Sequence, residues 1–139
     1  EQHFAYLEDV DLGYRARIDG FENWYTPEAK VYHVGSATTG TRYNEKKVFL
    51  AARNTIFVIY KNMPLLQLII NFPFIFAGMI VKTLFFVKKG FVKDYWSGIY
   101  EGVRDCHKCR KVSFTGKNLP HYLKIQLELW GNIGRILGA

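Results

Sequence analysis

Cysteine is scarce, with two residues in a chain of 139, so no disulfide framework can staple this protein together. Four prolines and twelve glycines are too few for a collagen-like or Pro-rich low-complexity chain. Internal repeats are missing as well. Residues 2–6 hold neither a basic region nor an apolar one, so no secretory leader is read there. Glu1 stands where an initiator Met would, and the expectation is a piece of a longer chain that opens inside an element. Only one long apolar run occurs, so a pore or transporter is not expected.

Apolar and aromatic residues, by contrast, are plentiful, at 49% and 17% of the chain. That content excludes a disordered polymer, which could not bury enough apolar surface to offset its ordering entropy. The length suits one domain at most.

The net charge of +7 is unevenly placed. Residues 1–48 carry six basic against eight acidic side chains, which leaves thirteen against four for residues 49–139. The first region is therefore at −2 and the second at +9. Such asymmetry points to an anionic surface as partner, either nucleic acid or membrane.

Residues 7–19 read as a short helix. Glu8, Asp9 and Asp11 crowd its first turn, Arg15 and Arg17 follow, and Gly20 supplies the stop. The aromatic run 21–25 reads as one strand and the alternating run 30–34 as a second, followed by a loop over 35–40. A helix is expected over 49–61, ending before Pro64. Residues 65–87 are long and apolar enough to span a bilayer. However, Gln67, Asn71 and Lys82 interrupt them and Pro73 breaks the hydrogen-bond ladder. At about 100° per residue, Gln67, Asn71, Gly78 and Lys82 fall on one narrow side. A helix, or a helix pair, lying in a membrane interface accounts for this better than a clean span. Two amphipathic helices complete the chain. The first carries the stripe Val92, Trp96, Ile99, Val103 and Cys106. The second covers 119–137, with Lys124, Glu128, Asn132 and Arg135 on its polar side.

The Cys106-His107-Lys108-Cys109 run offers two thiolates where a structural zinc site needs four ligands, so Cys106 reads as part of the apolar stripe. Basic residues flank apolar helices and do not line a groove, so nucleic acid is not the expected partner. Trp and Tyr beside Lys and Arg suit an anionic membrane surface. Taken alone, three acids in a first helical turn are dipole-complementing caps more often than catalysts.

Order and spacing add a further signal. Phe4 to Arg17, then Gly20-Phe21, then Pro27 to Ser36 with Val31-Tyr32-His33-Val34-Gly35-Ser36 inside it, resemble the C-terminal half of family-two glycosyltransferases of the rhamnosyltransferase type. Ala52-Arg53-Asn54 and Lys61-Asn62-Met63-Pro64 continue the likeness. It is motif-specific over about the first 64 residues and only architectural thereafter.

That resemblance implies a GT-A fold, so the expected fold class is an α/β fragment followed by apolar and amphipathic helices. Residues 1–64 would be the C-terminal portion of the catalytic domain, and 65–139 a helical membrane-docking region. It implies an inverting glycosyltransferase that moves a sugar from a nucleotide-sugar donor to a glycan or lipid-linked acceptor. Asp9 would be the general base, accepting the acceptor hydroxyl's proton. Glu8, Ser36 and Arg53 would bind substrate, and Asp11 would be structural. A divalent metal, Mn²⁺ or Mg²⁺, would stabilise the departing diphosphate, with His33 as a ligand. The family's metal-holding Asp-x-Asp motif lies upstream of the stretch that this chain resembles. Gln-x-x-Arg-Trp does not occur in the sequence, which weighs against a processive member. The fragment is expected to be inactive alone, at the cytoplasmic face of a cell membrane. The competing class is a non-catalytic membrane-surface or interaction module.

Overall fold

Every regular element among the described residues is helical. The computed structural model describes residues 6–30 and 43–138, except for the side chains of residues 136 and 137. The helices are α1 (Glu8–Ile18), α2 (Glu45–Asn62), α3 (Leu65–Lys89), α4 (Val92–Asp105) and α5 (Leu119–Leu137), with a 3₁₀ turn at Cys106–Lys108.

The expected α/β fragment is thereby corrected to a helical fold. Residues 21–25 run without regular structure, and Phe21, Trp24 and Tyr25 are 68%, 83% and 87% exposed. Aromatic composition favours a strand only where a neighbouring strand accepts its ladder hydrogen bonds, and among the described residues none does. The run 31–34 lies outside the described residues.

The helix signals hold with shifts at their ends. Three acids complement the amide end of α1, and Gly20 closes it with φ +91°. Helix α2 starts four residues before its expected first residue, because the Asn44 side chain accepts the Lys47 N–H and caps it there. Helix α3 is one continuous helix, so the expected interruption at Pro73 is corrected too. A proline removes one N–H, and a long apolar helix absorbs that single loss. Gly90, at φ +79°, ends α3 and turns the chain into α4.

The core is divided. Val48 and Ala52 of α2 meet Tyr95 and Ile99 of α4, with Met79 and Phe86 of α3 against them. A second cluster joins Ile18 of α1 to Tyr122 and Ile125 of α5. The α2–α4 contact is the more intimate, and the expected stripe on α4 is rotated to make it. Tyr95, Gly98, Ile99 and Gly102 are buried, while Trp96 and Val103 are 46% and 60% exposed. Glycines on one face allow backbones to approach closely. A Cβ on Gly98 would stand 2.3 Å from the Phe49 carbonyl oxygen, and one on Gly102 would stand 2.8 Å from Ile56 Cβ.

Helix α3 is inside out relative to a water-soluble amphipathic helix. Gln67 and Asn71 are buried, whereas Leu65, Leu66, Ile69, Phe72, Val81 and Leu84 are exposed. Its narrow polar side faces the protein. Asn71 and Gln126 of α5 exchange amide hydrogen bonds of 2.7 and 3.0 Å, and Tyr14 of α1 donates to Gln67 Oε1 at 2.8 Å. The helix is long and apolar enough to cross a membrane, yet almost none of its apolar window is buried within the protein.

Candidate functional site

Helix α1 begins with Tyr6 and Leu7 in the left-handed region, at φ 73° and 67°. Two consecutive non-glycine residues there store strain and persist only when neighbours hold them. Those neighbours come from α2. Asn54, fully buried, donates its amide to the Tyr6 carbonyl at 3.0 Å. One turn of α1 further, Asp11 accepts from Lys61 Nζ at 2.7 Å and from Asn62 Nδ2 at 2.7 Å. Arg15 approaches the same carboxylate at 3.8 Å. The two motif groups, Glu8 to Asp11 and Ala52 to Pro64, are thus joined in space by three hydrogen bonds to residues 6 and 11. Asp11 joins α1 to α2. Its bonds run to α2, beyond its own turn.

This clamp leaves Glu8 and Asp9 exposed on the first turn of α1. Asp9 Oδ1 accepts the Val10 N–H at 2.8 Å, and no ion pair engages the carboxylate among the described residues. Asp9 stands on the wall of an open cleft of about 370 Å³ between α1 and α5. Arg17 and Tyr14 continue the α1 wall, Asn23 comes from the segment after α1, and Glu128 and Asn132 come from α5. Arg17 is ion-paired with Glu128 across the cleft; outside its lining, Lys124 pairs with Glu22 at 3.5 Å. Asn23 donates to the Gly13 carbonyl at 3.2 Å and so fixes the post-helix segment beside the opening. The walls therefore combine carboxylates, a guanidinium and two amides, which can donate to and accept from hydroxyl groups, with the apolar side chains of Val10, Ile125 and Leu129.

Burial pushes the Tyr14 phenol well above its ordinary range, aided by nearby Tyr122 and opposed by its hydrogen bond to Gln67. Burial also raises Tyr122, with Asp19 adding to it. Both phenols stay neutral at physiological pH and act as donors and packing surface.

Arg53 is not at this cleft. Its guanidinium donates to Glu101 Oε1 at 3.1 Å and to Asn54 Oδ1 at 3.2 Å, and it lies 5.5 Å from the centre of the Phe57 ring. The residue ties α2 to α4 and supports Asn54. His33 and Ser36 lie outside the described residues. Among the described residues no group of three or more His, Cys, Asp or Glu side chains could hold a metal ion. The divalent cation implied by the family resemblance thus finds no fitting set there. Cys106 and Cys109 are free thiols, the latter buried, and burial pushes its pKa up. A raised pKa disfavours the thiolate needed for metal binding or attack.

Asn23, Glu128 and Asn132 were not legible as site residues. Glu128 and Asn132 stand four apart on the polar side of α5, which placed them on a common face. Only the packing of α5 against Ile18 turns that face toward Asp9.

No protein-family model, no curated protein and no solved structure matches this chain.

Proposed function

We propose that the chain supplies the acceptor side and the membrane-docking side of an inverting glycosyltransferase, with Asp9 as general base. The observation that carries this reading is the exposed Asp9 carboxylate at the N-terminus of a clamped helix, on the wall of an open cleft of about 370 Å³. An acceptor hydroxyl in hydrogen-bond reach gives its proton to Asp9. Its oxygen forms the new bond to the anomeric carbon as the bond to the nucleoside diphosphate breaks. A carboxylate positioned in this way contributes about 10²–10⁴-fold. Asn23, Asn132 and Glu128 would orient a glycan or lipid-linked acceptor by its other hydroxyls. The nucleotide-sugar donor would be held by groups other than those described, and no step here is routed through a metal ion.

The clamp supports the reading independently. Asn54, Lys61 and Asn62 spend their hydrogen bonds on the turn that carries Asp9, and precise placement is what a general base needs.

The inverted face of α3 supports docking on a membrane surface, and the cytoplasmic leaflet of a cell membrane is part of the same proposal. The helix lies along the body at both ends. Gln67 and Asn71 bond to α1 and α5, while Met79 and Phe86 pack against the α2–α4 core. Crossing the bilayer would drag the Arg53–Glu101 and Lys61–Asp11 pairs into hydrocarbon, at high cost. Lying in the interface avoids that cost. A purely membrane-binding module is favoured by the same face alone, and activity separates the two readings.

Restoring the upstream half and measuring sugar transfer tests the base. Asp9→Asn is expected to lower turnover by about 10²–10⁴-fold with helicity unchanged. Turnover close to the parent's would remove Asp9 from that role.

A further inference from the structure

A groove of about 490 Å³ lies between the start of α3 and the start of α5, roofed by the segment that joins the 3₁₀ turn to α5. It is separate from the Asp9 cleft and well within the about 300–1,000 Å³ of small-molecule sites. Leu65 and Leu66 form one wall, Leu123 the other, and Phe114 the roof. All four are more than half exposed, so water would wet a surface that has almost no use for it.

Three features say what covers that surface. First, Leu65 and Leu66 are also the start of the outward apolar face of α3, so the groove opens directly onto the side read above as lipid-facing. Second, Lys111 stands at its edge, over the Tyr60 ring at 4.6 Å. Lys111, its neighbour Arg110 and Lys117 have no carboxylate partner among the described residues. Third, Gln67 lines the groove, is 5% exposed, and leaves its Nε2 buried with no hydrogen-bond partner. A buried orphan donor is rare enough to call for an acceptor that a ligand would bring. A long apolar tail, a nearby oxygen acceptor and an anionic head are together the chemistry of one molecule.

The geometry points to this groove as a site for a single anionic phospholipid, its acyl chain between Leu66 and Leu123 under Phe114 and its phosphate at Lys111. Acyl chains are already in apolar surroundings in a bilayer, so shape and dispersion hold the chain while charge selects the head. Selection should therefore follow the headgroup. The inference rests on the membrane-docking part of the proposed function and is indifferent to the identity of the catalytic base.

The test reconstitutes the chain in phosphatidylcholine nanodiscs with a trace of chain-spin-labelled phosphatidylglycerol and reads the motionally restricted fraction. One restricted phosphatidylglycerol per chain is expected, with labelled phosphatidylcholine at the same level largely free. Leu123→Trp fills the groove and should abolish the restricted signal. Leu127→Trp, on the same helix but off the groove lining, should keep it. Leu66→Trp blocks the opposite wall and takes the place of Leu123→Trp if that variant loses helicity. Lys111→Glu should weaken retention by at least about fivefold, the worth of one basic residue beside an anionic leaflet. Equal restriction of both lipids overturns the proposal, as does a groove-filled variant that still holds the label. Displacement by an isoprenyl phosphate that phosphatidylglycerol cannot reverse overturns it too. A chain that enters the discs but restricts no lipid overturns the groove alone. One that never enters overturns docking with it.

Discussion

A single ammonium group, that of Lys61, sets where the Asp9-bearing helix rests. It shares the Asp11 carboxylate with Asn62, and both ionic side chains are largely buried, at 14% and 9% exposure. Removing one member of a buried pair leaves the other charge uncompensated, at about 3–5 kcal/mol. Lys61→Met should therefore lower stability by about 3 kcal/mol in urea unfolding, at the low end because Asn62 remains. Asp9→Asn, at an exposed site free of ion pairs among the described residues, should stay within about 0.5 kcal/mol of the parent. Tyr14 gives a pH signature. Its folded pKa is raised above the ordinary 10.0 by burial first and by Tyr122 second, so the fold is favoured while the phenol is protonated. That contribution is complete below about pH 10 and is lost as pH rises toward the folded value. Circular dichroism should show alkaline loss of helicity in the parent, and Tyr14→Phe should shift that loss to higher pH. At this scale the sequence was half legible. Gln67 and Asn71 were visible as a polar side of an apolar helix, but their partners Tyr14 and Gln126 lie 53 and 55 residues away. No local pattern encodes a contact of that range.

The helices were legible as elements wherever the apolar period and the end signals agreed, as in α1 and α5. Legibility failed in three ways. Residues 21–25 have strand composition but no ladder partner among the described residues. Pro73 reads as a breaker, although a long apolar helix absorbs one missing N–H. The stripe on α4 was read from its large residues, while its buried face is organised by Gly98 and Gly102, which a hydrophobicity count overlooks. The spacing of those two glycines, four apart, was the available signal. It supports a prediction. Gly98→Ala forces a methyl group to 2.3 Å from a backbone carbonyl and should cost about 1–3 kcal/mol by overpacking. Gly78→Ala, with open space around it, should instead stabilise the helix by up to about 1 kcal/mol. Thermal melts of the two variants should move in opposite directions.

For the molecule as a whole, the charge asymmetry acquires a location. Lys82, Lys88, Lys89 and Lys93 cluster around the end of α3 and Arg110, Lys111 and Lys117 precede α5. None has a carboxylate partner among the described residues. Flotation with anionic vesicles should be strong at low salt and reduced near 1 M salt, where the screening length falls to about 3 Å. The apolar face should keep a residual bound fraction. Binding that ignores both lipid charge and salt would remove the electrostatic part of docking. The clamp on α1 then takes on a further meaning. Lys61 and Asn62, which grip Asp11, are followed within three residues by Leu65, where the outward apolar face begins. Only the extended residues Met63 and Pro64 separate the grip from the floating helix, and Tyr14 ties α1 to α3 through Gln67. If α3 rests in the leaflet, the height of the Asp9 carboxylate above the lipid is fixed like a mark on a ruler. An acceptor would then be chosen partly by how far its hydroxyl stands off the bilayer.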